Sequence, residues 1–129
     1  MVDGPIDDLK MAIGTPAMSG TADARLVDVD VRIQPGGVKL ARNGQDYIGR
    51  VEALSFCGDA RQKVIGEAWQ TIDFKLTEEN YQKFQRVGVS FTVRIPISAD
   101  PAYVKVILYD YSADLVGSTM TRIKTEIRR

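Results

Sequence analysis

The chain offers few residues that could do chemistry, and most of them are carboxylates. Asp110-Tyr111-Ser112-Ala113-Asp114 has the alternating oxygen donors of a metal loop, close to an Asp-x-Ser-x-Ser site or the opening of a calcium loop. Its fifth residue is Asp rather than Ser, no Gly follows in the calcium-loop position, and apolar alternating segments flank it, so a hairpin turn is expected instead. Asp28 and Asp30 stand two apart on one strand face, but no third carboxylate is near in sequence to complete a calcium shell; a solvated face is the expectation. Glu78 and Glu79 could be taken for an acid/base pair. Adjacent helical positions diverge, however, and first-turn carboxylates complement the helix dipole.

Histidine is absent, which removes the commonest general base and metal ligand and excludes Ser-His-Asp and Cys-His arrangements within this chain. Cys57 is the one cysteine and can form no internal disulfide; it reads as a small, partly buried residue near a strand end. No catalytic residue, metal ligand or cofactor-binding residue is assigned, and no cofactor is expected. A ligand-binding alternative rests on Trp69, Tyr103, Tyr109 and Tyr111 as a stacking platform for carbohydrate or another small molecule; for Trp69 itself, burial is the first expectation.

The elements that must position these residues are strands. Val89, Phe91, Val93, Ile95 and Ile97 alternate with Ser90, Thr92, Arg94 and Pro96. Val104, Val106 and Leu108 alternate with Tyr103, Lys105, Ile107 and Tyr109, whose face is apolar enough to be partly covered. Ser98-Ala99-Asp100-Pro101 joins these two runs, and Val116-Gly117-Ser118 starts a last strand running to about Ile127. Leu26 to Ile33 alternates Val27, Val29, Val31 and Ile33 with charged residues. Arg42-Asn43-Gly44-Gln45 is a turn, Tyr47 to Phe56 is extended, Gly58 to Gln62 turns again, and Lys63 to Leu76 returns as a long strand. Gly66 could mark a bulge there. Trp69 has the opposite parity from Ile72, Phe74 and Leu76, so it either covers the other face or follows such a bulge. One helix is expected, capped by Thr77, lined by Tyr81, Phe84 and Val87, and stopped by Gly88. Residues 1–24, with Gly4, Pro5, Gly14, Pro16 and Gly20, read as a linker or weak first strand, and residues 25–129 as the folded domain.

The length of 129 residues suits one domain that buries roughly two thirds of its unfolded surface. The expected fold is all-β: an antiparallel β-sandwich of about seven strands, immunoglobulin or fibronectin type III-like, with one short helix. The 17 basic and 17 acidic side chains cancel, so no net field recruits nucleic acid or an anionic membrane. No run is apolar enough for a membrane span, and the N-terminus lacks the pattern of a signal peptide.

The order of several motifs carries a resemblance. Arg61-Gln62-Lys63-Val64-Ile65-Gly66, the helix start Leu76-Thr77-Glu78-Glu79-Asn80-Tyr81, Gly88 before a strand ending Ile95-Pro96-Ile97, Pro101-x-Tyr103-x-Lys105-Val106, and Asp110 seven residues before Gly117-Ser118 follow one another within a stretch from about Tyr47 to Ser118 that spans more than half the chain. In this the chain resembles the C-terminal β domain of VWFA-related proteins of Acidobacteria and similar bacteria, which follows a von Willebrand factor A domain. Asp114 departs from the usual Gly, and Ala99-Asp100-Pro101-Ala102 from a Pro-Pro-Gly turn. The resemblance implies a non-catalytic accessory domain of a larger exported or surface protein, an extracytoplasmic location and a protein partner; it carries over no catalytic residue.

Overall fold

The computed structural model describes residues 6–7, 11–35, 38, 40–111 and 115–123. Ten strands and one helix run in the order β1 (Ile6–Asp7), β2 (Met11–Ile13), β3 (Ala17–Gly20), β4 (Arg25–Ile33), β5 (Ala41–Asn43), β6 (Asp46–Gly58), β7 (Val64–Leu76), α1 (Glu78–Val87), β8 (Val89–Pro96), β9 (Tyr103–Asp110) and β10 (Leu115–Arg122). All the pairings are antiparallel, and they form two sheets. The all-β expectation therefore holds. Residues 1–24, read from sequence as linker or weak strand, contribute three short strands to these sheets.

Sheet A is centred on β6. Residues Val51 to Gly58 pair with β9 on one edge and with β7 on the other, β10 lies outside β9, and β1 outside β10. The short β5 pairs with the first residues of β6 on the β9 side. Sheet B is centred on β4, with β8 along one edge and β2 and β3 end to end along the other. The period-2 pattern explains the core directly. Val27, Val29, Val31 and Ile33 of β4 and Val93 and Ile95 of β8 face Val51, Ala53 and Cys57 of β6 and Val104, Val106 and Leu108 of β9 in one apolar cluster. Their alternate neighbours in sheet B are polar and make a charged outer face.

The chain passes from sheet A to sheet B through α1. Thr77 Oγ1 accepts the Asn80 N–H at 3.3 Å. Gly88 ends the helix at φ 74°, its N–H donating to the Phe84 carbonyl at 2.9 Å. Phe84 is buried against Phe74 with ring centroids 5.9 Å apart. Val87, expected on this packed face, is 47 % exposed, because the helix rolls onto Tyr81 and Phe84 instead. The two sheets meet where β7 begins: the Ser98 N–H donates to the Ile65 carbonyl at 3.0 Å. Gly66 there lies so close to the Pro96 carbonyl that a side chain would have no room. The register irregularity falls opposite, between Cys57 and Gly58, so Gly66 serves this close approach.

Candidate interaction face

Because β6 is flanked on both sides, its outward side chains lie in the middle of a four-strand face. Directly opposed residues form rows across β7, β6, β9 and β10: Trp69–Leu54–Ile107–Ser118, Glu67–Phe56–Lys105–Met120 and Thr71–Glu52–Tyr109–Val116. Tyr103 lies at one end of the face, its ring against Gly58. Leu54, Phe56, Ile107, Tyr103 and Tyr109 are half-buried by one another. Trp69 is 68 % exposed and Met120 52 %. Among the described residues no strand or helix packs across its centre, although Ser118 at its β10 edge is buried.

Trp69 corrects the sequence expectation of a buried aromatic. Its odd parity is genuine, since the irregularity in β7 pairing lies before Gly66 and leaves Trp69 opposite Leu54, on the outer side. The four aromatics of the ligand-binding alternative share that side but form no flat platform. Tyr109 and Tyr111 meet edge to face, centroids 4.8 Å apart at 83°, and Trp69 is separated from both by Leu54 and Glu52.

Tyr111 borders a depression of about 480 Å³ with Ala41, Ile48, Gly49, Arg50 and Asp73, formed where β5 and β9 leave a gap along one edge of β6. Arg50 Nε donates to Asp73 Oδ1 at 2.7 Å, and this bond raises the guanidinium pKa further. The Tyr111 hydroxyl bonds the Glu52 carboxylate, which lifts the phenol above its ordinary value. A second depression of about 430 Å³ lies at the opposite end, among Phe56, Gln62, Tyr103, Lys105 and Met120. The first depression supplies apolar area beside the paired Arg50 and Asp73, and the second supplies apolar area beside Lys105.

The other residues singled out from sequence have structural partners. Asp28 accepts from Arg94 Nε at 2.8 Å and from Ser19 Oγ at 2.9 Å, and Asp30 accepts from Thr92 Oγ1 at 2.8 Å, on the outer side of sheet B. Asp110, read from sequence as a turn residue, is the last residue of β9 and is buried and engaged on the inner side; residues 112–114 of its motif lie outside the described residues. Glu78 accepts from the Tyr47 hydroxyl at 3.2 Å. Among the described residues no three acidic or cysteine side chains gather as a metal site, and no helix is long and apolar enough to cross a membrane. Leu54, Phe56, Ile48 and Met120 were not singled out as site residues. For Ile48, Leu54 and Phe56 the signal was present, since the run from Tyr47 to Phe56 carries apolar residues on both parities, as a strand covered on both faces does.

No family model, curated protein or solved structure matches the chain.

Proposed function

We propose that this chain is a non-catalytic accessory domain of the immunoglobulin or fibronectin type III-like sandwich class that presents the outer face of sheet A to a protein partner. Supporting the sandwich reading, β2 and β3 count as one broken strand and β1 and β5 as edge fragments, leaving seven main strands, three in one sheet and four in the other. On the resemblance to VWFA-related proteins we propose that the domain follows a von Willebrand factor A domain in an exported or surface protein, outside the cytoplasm.

The observation that carries the interaction reading is the uncovered apolar row Trp69–Leu54–Ile107 at the centre of a four-strand face. At ~4.8 Å between strands and ~3.3 Å per residue, such a face spans roughly 500 Å². That is below the about 800 Å² per partner of a standard specific interface and in the range of a weak or transient one. Both signs of charge rim it, Glu52, Glu67 and Asp73 with Arg50, Lys105 and Arg122, as expected of a polar border around an apolar centre.

The test begins with the gene's full reading frame. If an Asp-x-Ser-x-Ser domain lies upstream, it is produced separately and titrated into the isotope-labelled chain. Amide shifts centred on Leu54, Phe56, Trp69 and Ile107, abolished by Leu54→Asp, support the reading; an unperturbed face with shifts elsewhere defeats it. A second reading, a carbohydrate module, rests on Trp69 and Tyr111 as separate exposed rings rather than on one shared platform. A saturable change in Trp69 emission on adding oligosaccharides, lost in Tyr111→Ala, would select that one.

A further inference from the structure

We infer that a second copy of this chain adds to the free edge of β7, antiparallel, with Thr71 on the two-fold axis, so that two copies of sheet A join into one continuous sheet. β7 has 13 residues and β6 occupies one of its edges throughout. Among the described residues the other edge is hydrogen-bonded at its start, where the Ser98 N–H and hydroxyl bond the Ile65 carbonyl at 3.0 and 3.2 Å. From Glu67 to Leu76 no other described strand pairs with it. Peptide groups left free along a strand are a template for another strand, and proteins usually close such an edge with proline, a bulge or an inward charge. The stretch from Glu67 to Leu76 contains no proline, its inward positions are Ala68, Gln70, Ile72, Phe74 and Leu76, and the bulge lies beyond its start; its charges, Glu67, Asp73 and Lys75, all lie on the outer side, where a matched partner strand can pair them.

The charges on this edge select the partner and the register. The outward residues in order are Glu67, Trp69, Thr71, Asp73 and Lys75. In a two-fold pairing centred on Thr71, Glu67 of each copy stands opposite Lys75 of the other, Trp69 opposite Asp73, and the two threonines face each other. Opposite charges and paired threonines are favourable cross-strand neighbours. Centring on Gln70 instead sets Glu67 against Asp73 twice, a like-charge pairing. Centring on Ile72 leaves Glu67 opposite Thr77, beyond the strand end. Only the Thr71 register matches both charged ends, and it does so with the chain's own sequence.

The same register gives the exposed indole a place. The partner copy's Trp69 comes beside Asp73, whose carboxylate holds Arg50 at 2.7 Å, at the rim of the depression that Ile48 and Tyr111 also line. An indole next to a guanidinium gains a cation–π contact. With 17 charges of each sign, the copies have no net repulsion to overcome.

This pairing rests on the interaction reading only in being a contact between proteins, and it uses the edge of β7 rather than the outer face. Sedimentation equilibrium of the full chain over a wide concentration range is expected to show a monomer–dimer equilibrium. Emission of Trp69, the sole tryptophan, should shift to the blue as dimer fills. Lys75→Glu and Glu67→Lys should each raise the dissociation constant about tenfold or more, and the double exchange Glu67→Lys with Lys75→Glu should recover most of that loss. A monomer at every concentration overturns the pairing, and a dimer indifferent to these charges overturns the register. Either failure leaves the outer-face titration, with its Leu54→Asp control, standing as a separate result.

Discussion

The Tyr47 ring lies flat on the Tyr81 ring, centroids 3.7 Å apart and planes 3° from parallel. This stack joins the start of β6 to α1, and the Tyr47 hydroxyl adds a hydrogen bond to Glu78. A ten-residue helix is marginal by itself, so α1 depends on this stack and on Phe84. Tyr81→Ala is expected to cost about 1–2 kcal/mol. Tyr47→Phe keeps the rings together and should cost less than about 0.5 kcal/mol. Urea unfolding at neutral pH measures both; equal losses in the two variants would show that the hydroxyl, not the stack, holds the helix.

The architecture was legible wherever one face of an element is buried and the other wet. Leu26 to Ile33, Val89 to Ile97 and the helix from Thr77 to Gly88 all satisfy that condition, and their spans agree with the structure to within a residue or two. The first 24 residues were opaque because strands of two to four residues are too short to show a period; β2 and β3 are fixed by pairing with β4, which is a non-local cause. The site was half legible. The parity of Trp69 left the outer side or a preceding bulge open, and whether the outer side is covered depends on what packs outside sheet A, which no local pattern encodes. Asp110 was misplaced for a related reason: its neighbours 111–114 have turn composition, while its own parity with Leu108 puts it inside.

The Asp28–Arg94 pair yields a pH prediction. The Arg94 hydrogen bond first, and the Ser19 hydroxyl second, hold the Asp28 carboxyl below its ordinary value of 3.8. The folded state then binds the proton less readily than the unfolded chain. The resulting stabilisation is complete above the ordinary value and is lost as pH falls through the lowered one. The pair is solvent-exposed, so Arg94→Ala should cost about 0.5 kcal/mol near neutrality. Below that lowered value the gap between parent and variant should close. A gap that widens in acid would contradict this assignment.

Cys57 is fully buried, and burial pushes its thiol up to about 11 from an ordinary 9.0. A raised value means that the neutral thiol is favoured by folding. Its contribution is therefore full below the ordinary value and falls as pH rises through the folded one. At mildly alkaline pH, iodoacetamide should modify the native protein far more slowly than a free thiol, at a rate that follows the unfolded fraction when urea is added. Labelling at the free-thiol rate without urea would show that the core opens at β6.

Two residues before Cys57 on the same inward side of β6, Ser55 is buried between Val106 and Ala68, and its hydroxyl has no hydrogen-bond partner among the described residues. Burying a hydroxyl without a bond costs roughly 1–3 kcal/mol, and deleting one oxygen leaves little empty space. Ser55→Ala should therefore raise stability by about 1 kcal/mol, seen as a higher urea midpoint at unchanged slope. Ala53→Ser places a second hydroxyl in the same wall and should cost at least about 1 kcal/mol. If Ser55→Ala instead lowers the midpoint, the hydroxyl is bonded in solution and the centre of β6 is wetter than its surroundings imply.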